Sequence, residues 1–313
     1  MARGRPGERA LNIQHQQTLK NHIRCTGIGL HSGAKVDVTM RPAPPDTGIV
    51  FHRMDGPNIE RIGAQWDNVS DTTMCTTVSN DAGVKVATIE HLSAALMGCG
   101  IDNVVVEIDG PEVPAMDGSA APFVFLIECA GVVAQTSPRR ALRVLREVEV
   151  RDGDRYARLE PGEGFSVDLE IAFDNALVAR QRCSFVAGNG AFKSELSRSR
   201  TFGFEQEVEQ LRALGLARGG SLDNAVVVSG DRVLNDGGLR YDDEFVRHKV
   251  LDLIGDLYLA GMPIEGHFTG FCSGHGLNNR LLRRLMADRA AWRIVVCEAD
   301  ADEWESEPAA ANA

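Results

Sequence analysis

The run Phe165–Phe173, FSVDLEIAF, sets Phe165, Val167, Leu169, Ile171 and Phe173 at alternate positions. Successive side chains of a strand point to opposite sides, so this spacing gives one apolar face that another layer has to cover. Lys35–Met40 and Val104–Ile108 repeat the pattern. Half-buried strands of this kind belong to mainly antiparallel sheets. Between them lie segments of helical spacing: Thr88–Met97 before Gly98, Ala120–Ala130 between Ser119 and Gly131, Glu205–Leu216 before Gly219 and Gly220, Asp243–Ala260 before Gly261, and Leu277–Asp288. Ser at the start and Gly at the end are ordinary helix limits. Strands and helices in this mixture predict an α+β chain.

The stretch Gly131–Arg140, GVVAQTSPRR, combines a helix stop, a Ser-Pro step and paired arginines, and an apparent hairpin follows, Ala141–Val150 turning through Arg151–Asp154. A domain boundary is expected there, giving an N-terminal α+β domain at 18–135 and a C-terminal one at 139–299. Residues 1–17 read as a basic lead and 300–313 as an acidic tail, both expected to be disordered. Each half carries one helix rich in ionisable residues and closed by Gly, which hints at duplication without a residue-level repeat.

Composition narrows the function classes. Lys plus Arg number 33 against 44 Asp plus Glu, a net charge of −11, and such a balance speaks against a nucleic-acid or anionic-membrane binder. Apolar runs are interrupted every few residues, as Asp252 and Asp256 interrupt Val250–Met262, so neither a spanning helix nor stable membrane insertion is expected. The N-terminus has no apolar core after its basic residues and reads as no secretory signal. Seven scattered cysteines without a Cys-x-x-Cys pair suit a reducing cytoplasm and no thiolate metal site. Gly27–Gly33, GIGLHSG, misses the dinucleotide-loop spacing by one residue and precedes a strand pattern, which weakens an oxidoreductase reading. Serine-hydrolase and P-loop signatures do not occur.

Four segments could carry chemistry. In Arg247–Ala260, RHKVLDLIGDLYLA, the residues Val250, Leu253, Ile254 and Leu257 make an apolar face, and His248, Asp252 and Asp256 recur every fourth position opposite it. That stripe drifts by only about 40° per step, so an imidazole and two carboxylates share a line and neighbours at i and i+4 could hold one metal ion. A solvated polar face is the alternative. In Thr88–Met97, Glu90 and His91 point away from Ile89, Leu92 and Leu96, giving a ligand beside a possible base, or simply surface residues. His275 sits between glycines in FCSGHGLNN, where it could reach into a cleft or act as a loop hydrogen-bonding group. In SRSRTFGF, Thr201 is a candidate donor, while Phe202 and Phe204 are core or channel lining. Met116–Ser119 reads as turn and capping chemistry only.

TIEHLSAALMGCGIDN, PAMDGSAAPFV, SRTFGF, GGSLDNAVV, DDEFVRHKVLDLIGDLYLAG and SGHGLNN, in this order from about Gln17 to Cys297, resemble the UDP-3-O-acyl-N-acetylglucosamine deacetylases of lipid A biosynthesis. The resemblance implies two similar domains, each a small sheet with packed helices, with the helices sandwiched at the domain interface. It implies zinc there, on His91, His248 and Asp252, with a fourth position open to water, the pattern of a catalytic site; iron(II) would also suit these ligands. Glu90 matches the general base, His275 the general acid, Asp256 the residue that orients His275, and Thr201 a hydroxyl assisting at the oxyanion. Lys249 matches a contact to the nucleotide-sugar. The acyl passage maps onto Phe202, Phe204, Val208, Ala217, Ser221 and Val227, with His31 and Cys75 near the site.

One departure lies after Phe173, where many relatives continue with His-Pro and this chain reads DNALVARQR. Stacking of uracil on Phe173 is expected, without the neighbouring contacts. The function implied is cytoplasmic hydrolysis of the N-acetyl group of an acylated UDP-amino sugar by a monomer. Another acylated amino sugar as substrate, or a non-catalytic nucleotide-sugar binder, are the alternatives.

Overall fold

In the computed structural model, residues 13–188 and 190–298 are described. The first part of the expected lead and the tail 300–313 lie outside them. The remainder of the lead departs from expectation, because His15–Leu19 is a strand paired antiparallel with Val132–Pro138. The stretch read as a domain boundary thus contains a paired strand. Its polar residues satisfy one another: Asn103 Nδ2 donates to Gln16 Oε1 at 2.8 Å and to Gln135 Oε1 at 2.7 Å, and Thr18 Oγ1 to the Asn103 carbonyl at 2.6 Å. These polar groups find their hydrogen-bond partners inside the protein.

The first sheet runs Ile23–Ile28, Lys35–Pro42, Val104–Ile108, Ile49–Arg53, Glu60–Gly63, antiparallel except for the Val104–Ile108 and Ile49–Arg53 pair. Its apolar side carries Val36, Val38, Met40, Val104, Val106 and Ile108, all buried. Two helices belong to this half of the chain, α1 (Glu90–Gly98) and α2 (Ala121–Ala130). The second sheet is built around Ile264–Phe271, which pairs with Arg155–Glu160, Phe165–Ala172 and Arg140–Val144. The alternation read in Phe165–Phe173 is present as far as Ile171, with Phe165, Val167, Leu169 and Ile171 buried and the intervening residues not, but Phe173 lies beyond the strand and is 37% exposed.

The first strand expected of the hairpin, Ala141–Val150, is two separate strands, while the turn expected at Arg151–Asp154 is present. Arg140–Val144 pairs with Trp292–Val296, and Val148–Asp152 forms the hairpin with Arg155–Glu160 through Gly153, whose φ is +60°. Alternation identifies a strand but not its partner. Three helices follow: α3 (Glu205–Ala213), α4 (Glu244–Tyr258) and α5 (His275–Ala287). Thus α5 begins before the expected Leu277, and His275 is its first residue instead of a loop residue. Among the described residues no helix is long and apolar enough to cross a membrane.

A candidate metal centre between two buried helices

The site forms where α1 crosses α4. A Cβ built on Gly255 would lie 2.0 Å from the Glu90 carbonyl oxygen, so the two helix backbones touch at a point only glycine permits. This contact covers both ionisable faces. Glu90 and His91 do point away from Ile89 and Leu92, but they are 3% and 4% exposed; His248, Asp252 and Asp256 are 1%, 4% and 3% exposed. The stripe on α4 is not a solvated face, and burying it unpartnered would be costly.

Ligand atoms of His91, His248 and Asp252 all lie within 4.8 Å of one another. His248 Nδ1 is 3.1 Å from the Ser199 carbonyl oxygen, which can only accept, so Nδ1 carries the proton. Burial, with His91 and Lys249 nearby, pushes the His248 pKa down to about 3 despite Asp252. The ring is neutral at pH 7 and its Nε2 presents a bare lone pair. That lone pair faces Asp252 Oδ1 at 3.3 Å, His91 Nε2 approaches the same oxygen at 3.4 Å, and Oδ1 is buried with no hydrogen-bond partner. Burial opposes the Asp252 charge, but His248 and the Lys249 ammonium, 2.6 Å from Oδ2, outweigh it and hold the carboxyl well below the usual range. An orphaned carboxylate oxygen facing an imidazole lone pair is repulsive unless a cation lies between them. The donor set fits a divalent ion, with a carbonyl orienting one ligand from behind.

Beside this cluster His275 Nδ1 is 2.8 Å from Asp256 Oδ2, and His275 Nε2 is 3.9 Å from Glu90 Oε1. Burial alone would lower the His275 pKa, but Asp256 and Glu90 reverse that and raise it to about 9. The ring is therefore an imidazolium at neutral pH. The Glu90 pKa is raised by burial, against the opposing pull of His275 and His91. A carboxyl with a raised pKa beside a charged imidazole is an acid–base pair whose members have moved away from their ordinary values. Asp256 is held by Thr76 Oγ1 at 2.6 Å and Asn278 Nδ2 at 2.8 Å, and Glu90 Oε2 accepts from the Thr76 N–H at 3.0 Å.

Residues 16–287 match the family described as UDP-3-O-acyl N-acetylglycosamine deacetylase. The chain belongs to that family. Relatives named UDP-3-O-acyl-N-acetylglucosamine deacetylase include one from Chromohalobacter salexigens, 55% identical over 91% of this chain and 94% of the relative. One from Thioalkalivibrio sulfidiphilus is 53% identical over 94% and 96%, and one from Xanthomonas oryzae 52% over 90% and 94%. Membership in this deacetylase family makes the chain a hydrolase.

Around this centre the other expected residues fall in two groups. His31 is half-buried; burial lowers its pKa, with Glu112 opposing and the charges of His275 and His91 adding to the fall. Burial, with Glu90 near, pushes the Cys75 thiol up to about 12. The second group lies along Phe202–Val227. Phe202 stacks edge-on with Phe245 at 4.9 Å and with Phe173 at 5.6 Å, and Phe204 lies 5.8 Å from Phe173. Phe202, Phe204, Val208, Ala217 and Val227 are all half-buried, Ser221 is exposed, and no residue of α3 is buried. Phe202 and Phe204 remain half-buried while packing against the core. Thr201 is tied to the MDGS turn, its N–H donating to the Gly118 carbonyl at 2.8 Å.

Sequence reasoning missed Thr76, Ser199 and Gly255. Thr76 and Ser199 act partly through the backbone and lie far in sequence from the groups they hold, so no periodicity marks them. Gly255, between Asp252 and Asp256, was visible as a glycine inside a helix, a signal of close approach.

Proposed function

We propose that the chain hydrolyses the N-acetyl group of UDP-3-O-[(3R)-3-hydroxyacyl]-N-acetylglucosamine, releasing acetate and UDP-3-O-acyl-glucosamine, the committed step of lipid A biosynthesis. The observation that carries this is the joint geometry of two sets: three converging ligand atoms with an orphaned carboxylate oxygen, and the His275, Asp256 and Glu90 group beside them. His91, His248 and Asp252 would hold zinc, with iron(II) suited to the same ligands. Such an ion supplies Lewis acidity to the amide carbonyl and to the attacking water.

The chain's own groups move the protons. Glu90 takes one from the water as its oxygen bonds to the acetamide carbon. His275, kept charged by Asp256, stabilises the developing oxyanion and gives a proton to the amine nitrogen as the C–N bond breaks. Thr201 assists at the oxyanion. Lys249 contacts the nucleotide-sugar, Phe173 stacks on the uracil, and the half-open row Phe202, Phe204, Val208, Ala217, Ser221, Val227 shields the acyl chain, with His31 and Cys75 flanking the centre. We read 18–135 and 139–299 as the two domains that bring α1 and α4 together, and the protein as a cytoplasmic monomer that binds a small molecule and no nucleic acid.

Acetate release from the UDP-sugar with and without its 3-O-acyl chain tests the substrate. Strong preference for the acylated form supports the reading; equal turnover of an unrelated acylated amino sugar, or no turnover, overturns it.

A further inference from the structure

Glu112 is 1% exposed and lies outside the groups described so far. Its carboxylate accepts hydrogen bonds from the N–H of His31 at 2.9 Å, the N–H of Ser32 at 2.7 Å and the hydroxyl of Thr88 at 2.8 Å. All three donors are neutral, and a buried carboxylate is retained only where such donors are fixed in advance. The backbone fixes them. Ala87 N donates to the Pro111 carbonyl at 2.9 Å and Val113 N to the Ala87 carbonyl at 3.0 Å. A Cβ on Gly29 would lie 2.3 Å from Ser32 Oγ and 2.4 Å from Glu112 Oε2, so the loop approaches the Glu112 side chain closely at this glycine.

The same loop carries a second segment. Arg218 N donates to the His31 carbonyl at 3.2 Å, Gly219 N to the Leu30 carbonyl at 3.0 Å, and Ala217 N to His31 Nδ1 at 3.4 Å. A Cβ on Gly219 would lie 2.2 Å from the Gly29 carbonyl oxygen. Residues 217–219 thus rest on 29–31, and 29–32 rest on Glu112.

We propose that Glu112 is a positioning residue for acyl-chain recognition: by fixing the Gly29–Ser32 loop it fixes the Ala217–Ser221 segment. This rests on the proposed function, in which Ala217 and Ser221 belong to the wall that shields the acyl chain. The effect runs through the loop more than through Thr88 and α1, because α1 has its own anchors. Ile89 N donates to the Thr76 carbonyl at 3.3 Å, and the Gly255 contact holds Glu90 from the other side.

Glu112→Gln keeps the size of the side chain but sets an amide donor against backbone donors. kcat and KM are measured for wild type and variant on the UDP-sugar bearing a long and a short 3-O-acyl chain, with metal content determined alongside. The preference for the long chain is expected to fall about tenfold, through KM of the long-chain substrate, with metal content and kcat retained. Gly29→Ala pushes a methyl against the Ser32 and Glu112 side-chain ends while leaving Glu112 itself in place; it gives the same shift and serves if Glu112→Gln does not accumulate folded. An unchanged preference, or equal loss on both substrates, overturns the proposal. A wild type that turns over neither substrate overturns the functional reading and this proposal with it, which separates the two failures.

Discussion

His275 is the residue whose environment makes the most specific claim. Its pKa of about 9 against an ordinary 6.5 means that its attraction to Asp256 and Glu90 contributes stability in full below pH 6.5 and loses it as pH rises through about 9. Activity that needs the imidazolium falls over the same range. Asp256→Asn removes the 2.8 Å partner, so the basic limb of the pH–rate profile is expected to move to lower pH, and the melting-temperature gap to wild type to narrow above pH 9. A basic limb that stays in place contradicts this role. Glu90→Gln is expected to lower kcat by about 10²–10⁴-fold with metal retained, and to abolish the acidic limb. An unchanged profile would assign that limb elsewhere. The sequence made His248, Asp252 and Asp256 legible because four-residue spacing puts them on one line. The residues alone offered His91 as a possible ligand, but only the family likeness joined it to His248 and Asp252, since a Glu-His pair on one helix says nothing about the helix it will face. Thr76 was illegible: its hydroxyl reaches Asp256 across 180 residues of chain.

At the scale of elements, the pairing of α1 with α4 decides whether the site exists. Ala in place of a mid-helix glycine normally stabilises by about 1 kcal/mol. At Gly255 the new methyl would meet a backbone carbonyl at 2.0 Å, and backbone does not move aside as a side-chain tip can. Overpacking, at about 1–3 kcal/mol, outweighs the helix-propensity gain. Gly255→Ala is therefore expected to lower both melting temperature and metal content. A raised melting temperature would mean that the helices are not in contact there. Helix positions were readable to within a few residues because apolar spacing and closing glycines are local signals. Strand partners were not. Arg140–Val144 finds Trp292–Val296 near the other end of the described chain, and His15–Leu19 finds Val132–Pro138, pairings that only the tertiary fold specifies.

For the whole molecule, the net charge of −11 speaks only about large surfaces. The centre gathers Glu90, Asp252 and Asp256 beside Lys249 and a charged His275, and a global sum does not describe so local an arrangement. The proposed ion completes that balance, so its removal is felt by the fold. Chelation is expected to lower the melting temperature, and added zinc to restore it, by about 2.7 kcal/mol of stability at a hundredfold excess over Kd. A melting temperature indifferent to metal would place the ion outside the folded centre. The most direct test couples metal analysis to acetate release from the acylated UDP-sugar, for wild type and His91→Ala. The account predicts roughly one divalent ion per chain and turnover in the wild type, with both lost in the variant. Metal-free protein that still releases acetate, or undiminished turnover by His91→Ala, would contradict it.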